Sequence, residues 1–175
     1  MAEKINDPLL ILAKAIIYVM LGLMAFAGFF VLLGVPAVAI FGADLGAELD
    51  AGELPQNARW LIALLLAAVA GMLYLGIRFF LHMLRIVKSV GEGDPFVPVN
   101  ADRLTAMAWI TLALNVLAIP VVTLGLYVAK LAGEEPGTVD ASLDVGGITL
   151  ILTLFILARV FRHGAAMRDD LEGTV

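Results

Sequence analysis

"AIIYVMLGLMAFAGFFVLLGVPAVAIFGA", Ala15 to Ala43, contains no charged residue. As a helix it would run roughly 44 Å, against a bilayer hydrocarbon core of about 30 Å. A helix on the surface of a soluble domain keeps one charged or polar face for water. This run has none, so its surroundings must be apolar on every side. It is also too long for one straight span. Tilt absorbs part of the excess. Pro36, two residues after Gly34, marks either a kink or an end followed by a short interfacial piece.

Three further runs carry the same signal, and they set the expected spans at about 9–41, 60–84, 104–129 and 145–161. Residues 162–175 read as a helical extension, continuing to Arg168, and a short acidic tail. The whole composition agrees. The chain has 175 residues, is 62% hydrophobic and 15% charged, and has a mean hydropathy of +1.00. Soluble domains sit nearer about half apolar and about a quarter charged. The expected fold is therefore all-α: an integral membrane four-helix bundle forming one domain. A cleaved leader is not expected, because "MAEKINDP" is a mixed-charge start before a run that is too long for one.

Cations set the expected orientation. Lys4, Lys14, Arg78, Arg85, Lys88, Arg103, Arg159, Arg162 and Arg168 fall on one side of these spans, and only Arg59 and Lys130 on the other. The first side should be cytoplasmic, and with it both termini. The two outer loops are short and acidic, with Asp44, Glu48, Asp50 and Glu53 in one and Glu134, Glu135, Asp140 and Asp144 in the other. Trp60 and Tyr127 suit an outer interface, whereas Trp109 and Tyr18 lie deeper and read as packing residues. "AGELP" (Ala51 to Pro55) and "AGEEP" (Ala132 to Pro136) hint at a duplicated hairpin, but the flanking helices show no shared period.

Several chemistries have no footing here. The absence of cysteine removes disulfides, thiol catalysis and cysteine-based metal sites. A net charge of -5 opposes binding to bare nucleic acid. There is no nucleophile–base pair with motif spacing and no phosphate loop, so no enzyme, catalytic residue, metal or cofactor is expected.

The polar residues within the spans are few. Asn115 and Thr111 form an i, i+4 pair, with Pro120 freeing the carbonyl near residue 116. Asn115 is either a binding or gating point or a hydrogen bond between helices. Arg78, His82 and Arg85 share one helix face, as do Arg159, Arg162 and His163. Such cations anchor helix ends by reaching to headgroups. Arg78 lies about 10 Å deeper than Arg85 and should face the protein or a wet crevice. Ala63, Ala67 and Gly71 make a smooth ridge for a neighbouring helix, within the chain or in a second copy.

One inner segment breaks the pattern: "GEGDPFVPVN", Gly91 to Asn100. Asp94-Pro95 and Val97-Pro98 force an extended, turning path. Asn100 reads as the N-cap of the third helix, with Asp102 in its first turn. Phe96 is left over. Its ring goes into the bundle mouth, into the headgroup zone or onto a partner. Asp169, Asp170 and Glu172 give the tail charge that could reach Arg78, Arg85, Arg103 or Arg162.

"GDPFVPVNADRL" (Gly93 to Leu104) and "LARVFRHGAAMRDDLEGTV" (Leu157 to Val175) resemble the DUF2975 family of small bacterial membrane proteins with four spans. The first carries Gly93, Pro95, Phe96, Asn100, Arg103 and Leu104. The second carries Phe161, Arg162, Gly164, Asp169, Asp170, Thr174 and Val175. Glu172-Gly173 departs from the more compact tail of many members. The resemblance implies a multi-pass protein of the bacterial cytoplasmic (inner) membrane with no known chemistry. Its genes often stand beside one for a Cro/CI-type helix-turn-helix regulator, which implies a regulatory pairing. The expected partners are the bilayer, such a regulator and a second copy of the chain. Pro95, Phe96, Asn100, Arg103, Arg162, Asp169 and Asp170 are the expected contact residues. The competing expectation is a small multidrug- or ion-type transporter acting as a homodimer, which the lack of a carboxylate deep in any span disfavours.

Overall fold

The computed structural model describes residues 7–48, 58–133 and 145–172, with side chains for 7–40, 58–133 and 145–170. They form four helices and, among the described residues, no strand: α1 (Pro8–Glu48), α2 (Ala58–Gly91), α3 (Pro98–Leu131) and α4 (Val145–Glu172). Each is long and apolar enough to cross a bilayer. α1 does not end at Pro36; helix continues on both sides of it. With 41 residues α1 measures roughly 62 Å, about twice the hydrocarbon core. α4 runs on to Glu172, four residues beyond Arg168. Most of the outer-loop acids and of the paired "AGELP" and "AGEEP" segments lie outside the described residues, as do Lys4, Thr174 and Val175.

The helix ends follow from local chemistry. Asp7 caps α1: its Oδ1 accepts from the Leu9 amide at 2.9 Å, and Pro8 fills the first helical position, where an N–H is not needed. α2 ends in a Schellman motif. Gly93 has a φ of 79°, the Gly93 amide donates to the Val90 carbonyl at 3.1 Å, and the Asp94 amide donates to the Ser89 carbonyl at 3.0 Å. The Lys14 ammonium lies against Gly91 at the same end, where the helix dipole favours a cation.

Contacts divide the chain into two units. The first takes the described residues up to Leu23, then Gly76–Ala113, then α4. Its core is Leu104, Met107, Ala108, Leu154 and Ala158, with Phe79, Met83, Ile86, Phe155 and Phe161 packed around it. Ala108 and Ala158 are small enough to let helix backbones approach closely, which is how packing gains energy without a hydrophobic drive. The second unit takes Met24–Leu75 of α1 and α2, as far as described, and α3 from Leu114. There Gly34 of α1 meets Leu66, and Gly125 of α3 meets Leu65.

Burial along α1 recurs at Leu10, Lys14, Ile17, Leu21, Met24, Gly28, Val31, Val35 and Val38, alternating steps of four and three. Along α4 it recurs at Gly147, Ile151, Leu154, Ala158, Phe161 and Ala165. A spacing of 3.5 residues is that of a buried seam along one helix face. The opposite face of α1 is just as apolar, with Leu12, Val19, Phe26, Phe30 and Leu33 exposed. In a bilayer that face meets lipid. Thr105, Thr111, Thr123, Thr149 and Thr153 each donate their hydroxyl to the carbonyl one turn back. These five hydroxyl donors are then not left open in the apolar medium.

Two expectations are corrected. Trp109 and Tyr18 are exposed rather than packed inside, although Trp109 sets its edge against Phe155 with ring centroids 5.6 Å apart. On the ridge of α2 only Ala63 is buried; Ala67 and Gly71 are exposed. Small residues leave close approach open but do not compel it.

Gly93→Ala forces an L-residue into left-handed backbone at a cost of about 1–2 kcal/mol. The expected result is a lower melting midpoint in detergent. Gly71→Ala, whose added methyl meets nothing within 4 Å, does not lower the midpoint, since alanine is the better helix former.

Candidate functional site

The turn between α2 and α3 is built around one side chain. Asn100 is 0% exposed. Its Nδ2 donates to Ser89 Oγ at 2.7 Å and to the Pro95 carbonyl at 2.8 Å. Its Oδ1 accepts from Arg103 Nη1 at 2.8 Å. Ser89 in turn donates to the Ile86 carbonyl at 2.8 Å, and Arg103 Nη1 also reaches the Arg85 carbonyl at 3.4 Å. Both amide hydrogens and the amide oxygen are thus used. The last turn of α2, the loop and the first turn of α3 share one polar network.

Asn100 is therefore not the N-cap expected from the sequence. α3 begins earlier, at Pro98, so Asn100 is already inside the helix. Proline at the first helical position has the right φ and no N–H to leave unsatisfied. That frees the Asn100 amide to face inward. Each bond contributes about 1 kcal/mol net, and losing one partner of a buried group costs about 1–3 kcal/mol.

Phe96 rides on this turn and lands on α4. Its ring lies 5.2 Å from that of Phe161, centroid to centroid, and rests directly on Gly164. A Cβ at Gly164 would come within 2.8 Å of the Phe96 ring. The ring is still 41% exposed, so it packs on its own chain while keeping one side free. Two ion pairs flank it. Arg162 meets Asp102 at 3.3 Å, and Arg168 meets Asp94. In both pairs α4 supplies the cation, to acids of the loop and of α3. Arg103 serves the Asn100 network. Exposed pairs of this kind contribute about 0–1 kcal/mol each, and the ring contact about 0.5–1.5 kcal/mol. The buried network fixes the turn; the weaker contacts to α4 only dock it.

The remaining expected residues are dispersed. Asp169 and Asp170 are exposed near the end of α4. Asn115 is half-buried on α3, beyond Thr111. Arg78 is exposed, His82 is half-buried and His163 is exposed. Among the described residues no group of three His, Cys, Asp or Glu is placed to hold a metal ion. Sequence reasoning missed Ser89, and with it the reason for Asn100. The available signal was a lone hydroxyl one turn before a helix-ending glycine. It also missed the pairing of Asp94 with Arg168, which no local pattern announces.

Four apolar helices, joined on one side by a polar-locked turn, define a multi-pass α-helical membrane protein. Within that class the chain belongs to the DUF2975 family, described as "Protein of unknown function", which it matches over residues 15–175. No curated protein and no solved structure matches it. The two sequence patterns that carry the resemblance, around Phe96 and around Gly164, are the two surfaces in contact here.

Gly164→Ala drives a methyl group into the Phe96 ring and costs about 1–3 kcal/mol, the usual penalty of overpacking. In a Phe96→Ala background the same change costs almost nothing. A double-mutant cycle on detergent melting midpoints measures this; equal effects in both backgrounds would contradict the contact.

Proposed function

We propose that this is a non-enzymatic regulatory protein of the bacterial cytoplasmic membrane. It binds a cytoplasmic helix-turn-helix transcription regulator through the loop Gly91–Arg103 and the end of α4. The side carrying both termini, the loop and most of the cations faces the cytoplasm, by the bias of Lys and Arg.

One observation carries the reading: the docking of the loop on α4 is weak and outward-facing. Its ion pairs are open to water, with Arg162 and Asp102 side chains 65% and 73% exposed. The Phe96 ring shows one side to the outside. Contacts summing to about 1–3 kcal/mol hold a two-state element with a minor open state of roughly 1–15%. A partner with its own charges and an apolar pocket exchanges for these contacts at little cost. The Asn100 network keeps the turn itself intact while it does so. The regulator as partner rests on the family resemblance.

The test is affinity purification from detergent-solubilised membranes, with co-purifying proteins identified by mass spectrometry. A helix-turn-helix regulator is expected with the wild-type chain and lost in a Phe96→Ala, Arg162→Gln, Arg168→Gln variant. No regulator with the wild type contradicts the proposal. Substrate flux in proteoliposomes, abolished by Asn115→Ala, would favour the transporter reading instead.

A further inference from the structure

The turn between α2 and α3 already holds one helix, and that helix shows what the turn recognises. Asp94 meets Arg168, Asp102 meets Arg162 at 3.3 Å, and the Phe96 ring covers Gly164. All six residues belong to one unit of the fold. Asp94, Phe96 and Asp102 stand on one frame. The Asp94 amide donates to the Ser89 carbonyl, the Pro95 carbonyl beside Phe96 accepts from Asn100, and Asp102 follows Asn100 by two residues in α3. An aromatic ring between two carboxylates is thus presented in a fixed arrangement. A preorganised face loses little entropy when it binds.

The α4 side matches this face in shape and in charge. Gly164 lies between Arg162 and Arg168 in sequence. A Cβ there would stand 2.8 Å from one carbon of the Phe96 ring and 3.1 Å from another, so glycine is what leaves room for the ring. Phe161 closes the seat, its ring centroid 5.2 Å from that of Phe96. The two acids select among possible occupants. They repel anionic headgroups and nucleic acid, and they attract a cationic helix. Exchange of one helix for another is cheap. The Arg162 and Asp102 side chains are 65% and 73% exposed, and ion pairs so open to water are weak.

We infer that Asp94, Phe96 and Asp102 form a docking face for a basic helix of a partner protein, one that carries a glycine between two cations. Within the chain α4 stands in for that helix and covers the face until the partner displaces it. The inference rests on the reading that this dock opens to a partner, and it adds the chemistry by which the partner is selected.

A synthetic peptide of residues 159–170, with a benzophenone on the ring of Phe161, tests this against the full chain in detergent. The chain is opened by Arg162→Gln with Arg168→Gln, both at exposed positions away from the core. Irradiation should join the peptide to segment 94–102 of the opened chain, and several-fold less to the wild type, whose own α4 competes. Arg162→Glu with Arg168→Glu in the peptide should lower the yield about five-fold or more, as two lost pairs allow. Gly164→Ala in the peptide should also lower it, although alanine is the better helix former. No adduct within 94–102, or equal yields from the wild-type chain, the charge-reversed peptide or the alanine peptide, would each overturn the proposal. So would dimers of the wild-type chain that the peptide disperses, which give the face to a second copy. Capture of the peptide with no co-purifying regulator removes the regulator and keeps this face; a co-purifying regulator with no capture removes this inference alone.

Discussion

The carboxamide of Asn100 is the constraint on which the turn depends. Buried polar groups are tolerated only when satisfied, and this one is satisfied by groups from three places: Ser89 on α2, the Pro95 carbonyl in the loop, and Arg103 on α3. Those places cannot separate without stranding one of its donors or its acceptor. Each feature nearby serves the same geometry. Gly93 turns the chain in left-handed backbone, Pro98 starts α3 early enough to send Asn100 inward, and Ser89 relays the network to the α2 backbone. The fixed turn then holds Phe96 against Gly164.

The lower half of that hierarchy is deliberately weak in a physical sense: water-exposed ion pairs and a partly exposed ring. A rigid turn that is loosely docked suits the exchange of contacts that the proposed function calls for. A turn held only by the ion pairs would melt when they exchanged. One docked through a fully buried ring would not open. The energy difference between the buried network and the exposed contacts keeps these two behaviours apart.

Much of the architecture was legible because the bilayer imposes length and apolarity. The four apolar runs could be read from residue type. The packing seam of α1 could not. Leu10, Ile17, Leu21 and Val31 face neighbours, while Leu12, Val19, Phe26 and Leu33 face out, and hydropathy does not separate them. In water the outer face would be polar; lipid removes that contrast. Asn100 was singled out correctly but given the wrong task, because a cap preference is local and Pro98 outcompeted it. Phe96 was recognised as unexplained, yet its resting place is a glycine on the last helix, and no spacing rule connects the two. Ser89 looked like an ordinary helix-end residue until Asn100 was found against it.

The central claim is that the α2–α3 turn is docked on α4. The chain contains no cysteine, so a pair can be introduced without background. Asp102→Cys with Arg162→Cys replaces one exposed ion pair and leaves the Phe96–Gly164 contact in place. In native membranes a short bismaleimide should join the two within one chain, in high yield. Both cysteines labelling with a monofunctional maleimide, yet forming no intramolecular crosslink, would contradict the account.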